Sequence, residues 1–226
     1  MTVQDVQAGL LPLQLGFVKA FLVRGAGKHV LVDSGTAGSS AKILAKLERG
    51  GVNPKDVGLI VVTHVHPDHT GSLAEVVQAT GAKVAVHRLE AERVRTGVSP
   101  PAAQNRLSRI FFRPSEKPSA SGVEPDILID DELDLKPYGV AGKVIWTPGH
   151  TRGSVSVVLE SGEAIVGDLV LPRYMSFGPP AIAFWAVNRE DSVASIRKVL
   201  DLNPSIILTS HGGPYRPEAL DKLRER

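Results

Sequence analysis

The chain has 226 residues, 42% of them apolar and 22% charged, with a net charge of +2. That supplies a sizeable core for one domain and gives no global field to gather nucleic acid or an anionic membrane surface. Cysteine is absent, which excludes disulfides, thiolate metal sites, iron–sulfur clusters and a cysteine nucleophile, so any metal must be held by histidine and carboxylate.

The chain opens on MTVQDVQAGLLPLQLGF, which has no basic n-region and already carries Asp5. It does not read as a secretory signal, and a cytoplasmic location is expected. Apolar runs such as 60–62 fall far short of the ~20 residues needed to cross a bilayer, so no membrane association is expected. Residues 15–23 and 30–32 are apolar runs separated by Arg24-Gly25-Ala26-Gly27-Lys28, the pattern of a strand–turn–strand unit. Ser39 or Ser40 can cap a helix over 41–48, where Ile43, Leu44 and Leu47 share a face and Gly50-Gly51 ends it. The four apolar residues 59–62 read as a strand buried on both faces. A helix over 72–79 and a strand over 83–87 follow.

Residues 88–126 have no clean period and read as an irregular insertion in an otherwise single domain over 1–226. The stretch from Arg88 to Lys117 holds seven basic residues against the acidic Glu90, Glu92 and Glu116, and six acidic residues then fall between Glu124 and Asp134. The expectation is either a lid contacting an anionic small-molecule substrate, with Arg109 or Arg113 as candidate contacts, or a subunit contact in a homodimer. Beyond it, strands are expected in close succession over 127–129, 133–135, 143–146, 154–159 and 164–166. A helix over 189–200, a buried strand over 205–208 and a closing helix after Pro217 complete the chain. Two sheets packed face to face with helices outside accommodate this order.

The chemistry is concentrated after the strand 59–62, where the chain reads Thr63-His64-Val65-His66-Pro67-Asp68-His69-Thr70-Gly71. Just past a strand, residues two apart point to one side, so His64 and His66 can converge on one metal. The turn forced by Pro67 redirects Asp68 and His69 toward a second position. Further candidate ligands stand at the ends of later strands: His150 in TPGHT, Asp168 after Val166-Gly167, and His211 in TSHGG. Five of the seven histidines occupy such strand-to-loop junctions; His29 and His87 do not.

The succession THVHPDH, GH, GD, HG resembles the metallo-β-lactamase superfamily over about residues 13–215, and LVDSG at 31–35 is similar to that family's early strand. The resemblance implies a four-layer αββα sandwich of two mixed sheets with the metals at one edge. It implies a first metal on His64, His66 and His150, a second on Asp68, His69 and His211, and Asp168 bridging both. Asp33 would then orient a ligand by hydrogen bond. Two divalent ions are expected, zinc before manganese or iron, together with a hydrolase acting on an ester, thioester or lactone-type bond of a small molecule. Asp68 would orient the attacking water or pass a proton, and Tyr174 would donate a hydrogen bond to substrate. The segment TPGHTRGS looks most like the glyoxalase II and lactonase-like branch. Yet the run LVLPRYMSFGPP differs from the segment that follows the corresponding aspartate in glyoxalase II. The rival expectations are a mononuclear iron persulfide dioxygenase and a phosphodiesterase or ribonuclease on the same ligands.

Overall fold

The computed structural model describes residues 9–98, 120–174 and 177–224. Strands β1 (Leu10–Gln14), β2 (Lys19–Arg24), β3 (His29–Val32), β4 (Val57–Val61), β5 (Lys83–His87) and β6 (Ile127–Ile129) form one sheet in that spatial order. The first three pair antiparallel; β3 through β6 pair parallel. A second sheet runs in the order β13, β10, β9, β8, β7, built from β7 (Glu132–Asp134), β8 (Gly142–Trp146), β9 (Val155–Leu159), β10 (Glu163–Ile165) and β13 (Ile206–Leu208). A two-stranded hairpin, β11 (Leu171–Pro172) with β12 (Pro180–Ala181), stands apart.

Side-chain alternation stacks these layers. Val30, Val32, Leu59 and Val61 from the first sheet meet Val144, Val155, Val157, Ile165 and Leu208 from the second in one buried cluster. Their neighbours along the strands, Leu31, Ile60 and Val62, point the other way onto Ile43 and Leu47 of α1 (Ser40–Arg49) and Leu73 and Val76 of α3 (Leu73–Thr80). On the far side Ile145, Val158, Ala164 and Ile207 pack against Val193, Ile196, Val199 and Leu200 of α5 (Arg189–Leu200). Period-two strands and period-3.6 helices thus give three apolar interfaces between four layers, the αββα sandwich. None of the helices among the described residues is long and apolar enough to cross a membrane.

Several expected boundaries move. The run 15–23 is divided: Leu15 and Val18 close a turn through Leu15 N–H to the Val18 carbonyl, 2.9 Å, and the chain before it forms β1. The region 88–126 is regular at its described start, with a 3₁₀ turn over Arg88–Glu90 and the short helix α4 (Ala91–Thr96) burying Ala91 and Val94 in the first core. Arg109 and Arg113 lie outside the described residues.

Candidate metal centre

Both sheets end at one edge, and each delivers part of a cluster there. On the first sheet, β3 and β4 run parallel, Val30–Val32 pairing with Leu59–Val61, so Asp33 and Thr63 just beyond them emerge side by side. Asp33 turns into the left-handed region at φ 63° while its N–H stays on the Val61 carbonyl at 2.9 Å. Its Oδ1 accepts the Thr63 N–H at 2.8 Å and its Oδ2 accepts the Thr63 hydroxyl at 2.7 Å. The strand exit is therefore clamped one residue before His64.

His66 is extended, and Pro67 opens a single helical turn, α2 (Pro67–Thr70), in which the His69 and Thr70 N–H groups both reach the His66 carbonyl at 3.0 Å. That turn places Asp68 and His69 one helical turn past His66, and the His69 ring comes back to within 4.0 Å of the His64 ring. The Ser34 N–H and hydroxyl both donate to the His69 carbonyl, at 2.8 and 2.9 Å, pinning the turn to the end of β3.

The second sheet supplies three loops. His150 follows Gly149, whose φ of 137° and tight approach to Ser192 of α5 leave no room for a side chain. The loop is closed by Thr147 N–H to the Ser154 carbonyl, 2.9 Å, and tied to α5 by the Ser195 hydroxyl on the Pro148 carbonyl, 2.7 Å. Asp168 leaves β10 beside β13, where the Ser210 N–H reaches the Gly167 carbonyl at 3.2 Å. His211 follows directly, its Nδ1 at 3.1 Å from the Phe17 carbonyl and its ring stacked on that of Phe17 at 5.7 Å.

The seven side chains converge as two groups: His64, His66, His150 and Asp168 in one; Asp68, His69 and His211 in the other. In the first, His66 Nδ1 lies 3.0 Å from His64 Nε2 and 3.1 Å from His150 Nε2, three ring nitrogens aimed at one point. In the second, His211 Nε2 lies 3.1 Å and His69 Nε2 3.8 Å from Asp68 Oδ2. Asp168 faces both groups. Its Oδ2 is 3.6 Å from His150 Nε2 and 3.9 Å from His64 Nε2. Its Oδ1 is 3.5 Å from His69 Nε2 and 3.6 Å from His211 Nε2.

Electrostatics distinguish the groups. Burial holds His64 well below the ordinary imidazole value, and the neighbouring rings push the same way. Burial likewise lowers His66 to about 3 and His150 to about 4, the nearby rings adding to the effect. These three rings stay neutral, with lone pairs free for a cation. Burial also disfavours charge on His69, but Asp168, Asp33 and Asp68 outweigh it and hold that ring well above its ordinary value. His211 is raised for the same reason, its burial overcome by Asp68 and Asp168. Burial opposes ionisation of Asp168 and Asp68 too, and the adjacent histidines nevertheless keep both carboxyls below the usual range.

This donor set fits a metal. Among the described residues, His69 Nε2 and Asp168 Oδ1 are buried without a hydrogen-bond partner, a costly state for polar atoms unless a cation takes their lone pairs. His150 Nδ1 is buried without a partner, while two outer nitrogens are occupied, His69 Nδ1 reaching Asp33 Oδ2 at 2.8 Å and His64 Nδ1 reaching the Thr63 hydroxyl at 3.1 Å. Such partners fix the tautomer that turns Nε2 inward.

Tyr174 lies in the turn after β11. Its ring rests against Phe177 at 5.4 Å, its N–H reaches the Phe177 carbonyl at 3.2 Å, and its side chain is 58% exposed. Two contributors escape the sequence pattern. Phe17 supports His211 from the β1–β2 turn, and Glu90, fully buried, accepts the Gly153 N–H at 3.3 Å beneath the His150 loop. Their signal is spatial; only a buried charge in the amphipathic run LEAERV hints at Glu90. His29 and His87 stay outside the cluster, His29 Nδ1 accepting the Gly25 N–H at 3.2 Å and His87 stacking on Trp146 at 5.2 Å.

Comparison with known proteins agrees with this architecture. The metallo-beta-lactamase superfamily model matches residues 13–211. A probable metallo-hydrolase of Methanocaldococcus jannaschii is 31% identical over 151 residues, 67% of this chain and 66% of that protein, so the match spans just under two thirds of the relative. The probable metallo-hydrolase YflN of Bacillus subtilis is 28% identical over 82% of this chain and 75% of its own length. Among solved structures, the BLEG-1 B3 metallo-beta-lactamase superposes with a TM-score of 0.71 at 23% identity, covering 94% of this chain and 96% of that one; at that identity the likeness speaks to fold alone. The chain belongs to the metallo-β-lactamase superfamily.

Proposed function

We propose that the protein is a hydrolase that holds two divalent cations, zinc before manganese or iron, and cleaves an ester, thioester or lactone-type bond of a small molecule. The observation that carries this is Asp168, whose two oxygens each face a different group of histidines at 3.5–3.9 Å. A carboxylate so placed would serve as a shared ligand. His64, His66 and His150 would hold one ion, and Asp68, His69 and His211 the other. The chemistry such a pair supplies when bound is a water acidified toward neutrality and an electrophilic pull on a carbonyl oxygen.

The chain's own groups do the rest. Asp68 is the more exposed carboxylate, its side chain 23% accessible against 6% for Asp168. It is therefore the group that can touch both the attacking water and the substrate, orienting the first and passing a proton to the leaving group. Tyr174, exposed after β11, is the candidate donor to the substrate oxygen.

Elemental analysis of the purified protein, run beside a panel of thioesters, lactones, esters and phosphodiesters, tests the proposal. Two divalent ions per chain and chelator-sensitive cleavage of an acyl substrate are expected. One iron with no second metal would overturn it in favour of the persulfide dioxygenase alternative. Cleavage of phosphodiesters alone would favour the nuclease alternative.

A further inference from the structure

Four large apolar side chains on segments tied to the metal edge are exposed. Phe17 is 65% exposed, Phe177 70%, Phe184 56% and Val187 45%, whereas large apolar side chains gathered in one exposed patch ordinarily mark a binding surface. Each stands on a segment tied to a loop that carries a candidate ligand. Phe17 stacks on His211 and offers its carbonyl to that ring. The turn bearing Phe177 is held from the His211 side twice: the Tyr215 hydroxyl donates to the Gly178 carbonyl at 3.3 Å, and a Cβ on Gly212 would run into Pro172. Val187 donates its N–H to the His150 carbonyl at 3.2 Å, and Asn188 donates to that of Gly149 at 3.0 Å. Phe184 lies three residues before Val187 on the same segment. Three separate segments bearing exposed apolar side chains are thus tied to the loops that carry His150 and His211, and Phe17 touches His211 directly.

We propose that this rim is the substrate's binding wall and that it takes an uncharged, apolar acyl or alkyl group, the scissile bond lying below it at the metal edge. The inference rests on the hydrolase assignment above and adds the substrate class. An apolar occupant follows from the chemistry of the rim: Phe17, Phe177, Phe184 and Val187 offer rings and methyls. That the occupant is substrate follows from place, since Phe17 touches His211 itself and nothing docked there could avoid the reacting groups. The lid arginines expected from the sequence, Arg109 and Arg113, would instead select an anionic substrate, so the two ideas make opposite claims about the ligand.

The test uses the metal-loaded full chain and a series of p-nitrophenyl esters from acetyl through butyryl and hexanoyl to octanoyl. We expect kcat/KM to climb about fourfold per added methylene over the first few, as for methylenes leaving water. In Phe177→Ala combined with Phe184→Ala the climb should flatten, with metal content unchanged. A second measurement needs no turnover: tryptophan fluorescence titrated with n-alcohols from butanol to octanol, Trp185 lying beside Phe184 at 4.6 Å. Alcohol affinity should rise with length and be lost in the double variant. If esters turn over at one rate whatever their length and no alcohol binds, the rim assignment is overturned while the hydrolase stands. If alcohols bind by length but no ester, thioester or lactone is cleaved, the hydrolase reading fails and the apolar site survives. Preference for carboxylate-bearing substrates over their neutral analogues would also overturn the rim, as would a double variant that changes only the oligomeric state.

Discussion

At the scale of single residues, Asp33 does more than orient one ligand. Its Oδ2 accepts from His69 Nδ1 and from the Thr63 hydroxyl, and that hydroxyl stands 3.1 Å from His64 Nδ1. One buried carboxylate therefore sets a ring in each of the two groups. Asparagine keeps the size and tolerates the left-handed backbone Asp33 adopts. In either amide orientation, however, its NH2 meets a donor, the Thr63 N–H on one side or His69 Nδ1–H and the Thr63 hydroxyl on the other. Asp33→Asn should lower metal affinity or turnover by about 10–100-fold, read by chelator competition with the circular dichroism unchanged. Wild-type affinity in that variant would remove Asp33 from its role. Asp68→Asn is expected to cut turnover by orders of magnitude while the fold survives, because Asp68 sits in a one-turn edge helix and the change opens no core cavity. Near-normal turnover would sink the role assigned to Asp68.

At the scale of elements, the His150 loop depends on a residue far from it in sequence. Glu90 ends the 3₁₀ turn after β5, and its buried carboxylate accepts the Gly153 N–H and two contacts from Arg93 Nη1 at 3.2 Å. The packing is close enough that a Cβ on Gly153 would meet Glu90 Cγ at 2.5 Å. Glu90→Ala leaves the Gly153 N–H unpaired and the half-exposed Arg93 without its carboxylate. The expected cost is about 1–3 kcal/mol in chemical denaturation, with weaker metal binding at the His64, His66 and His150 group than at the other. Equal loss at both groups would show a general effect on the fold instead. This dependence explains what could be foreseen from the chain. The strands carrying the cluster were legible because buried strands write continuous or alternating apolar runs, and the ligands stand directly after them. Elements of one turn or two residues, such as α2 and the β11–β12 hairpin, write no period. The break between β1 and β2 was hidden because Leu15 and Val18, though in a turn, are as buried as the strands they join. Glu90 and Phe17 meet the site across long sequence separations that no local pattern records.

At the scale of the whole molecule, the buried cluster couples stability to pH and metal, and the direction differs for the two groups. His64, His66 and His150 have lowered pKa values in the folded chain, burial being the main cause. Unfolded, they would take up protons near pH ~6.5, so without metal their contribution is full above that value and falls as acid is added toward about 4 and about 3. His69 and His211 are raised, because the carboxylates overcome their burial. Their contribution is fully present below ~6.5 and is lost as pH rises through the folded values. Asp68 and Asp168, both depressed, lose theirs only when pH falls through their folded values. The metal-free protein should therefore show a Tm maximum near neutrality, with losses on both sides. A cation held by Asp68, His69 and His211 would take the places of the protons on those two rings, so metal binding there should strengthen as pH rises. The Tm of the zinc-loaded protein should accordingly hold on the alkaline side where the chelated protein declines, and the gap between them should widen from pH 6 to 8. Thermal melts with zinc and with chelator across that range decide it, because parallel alkaline limbs would mean that His69 and His211 hold no metal.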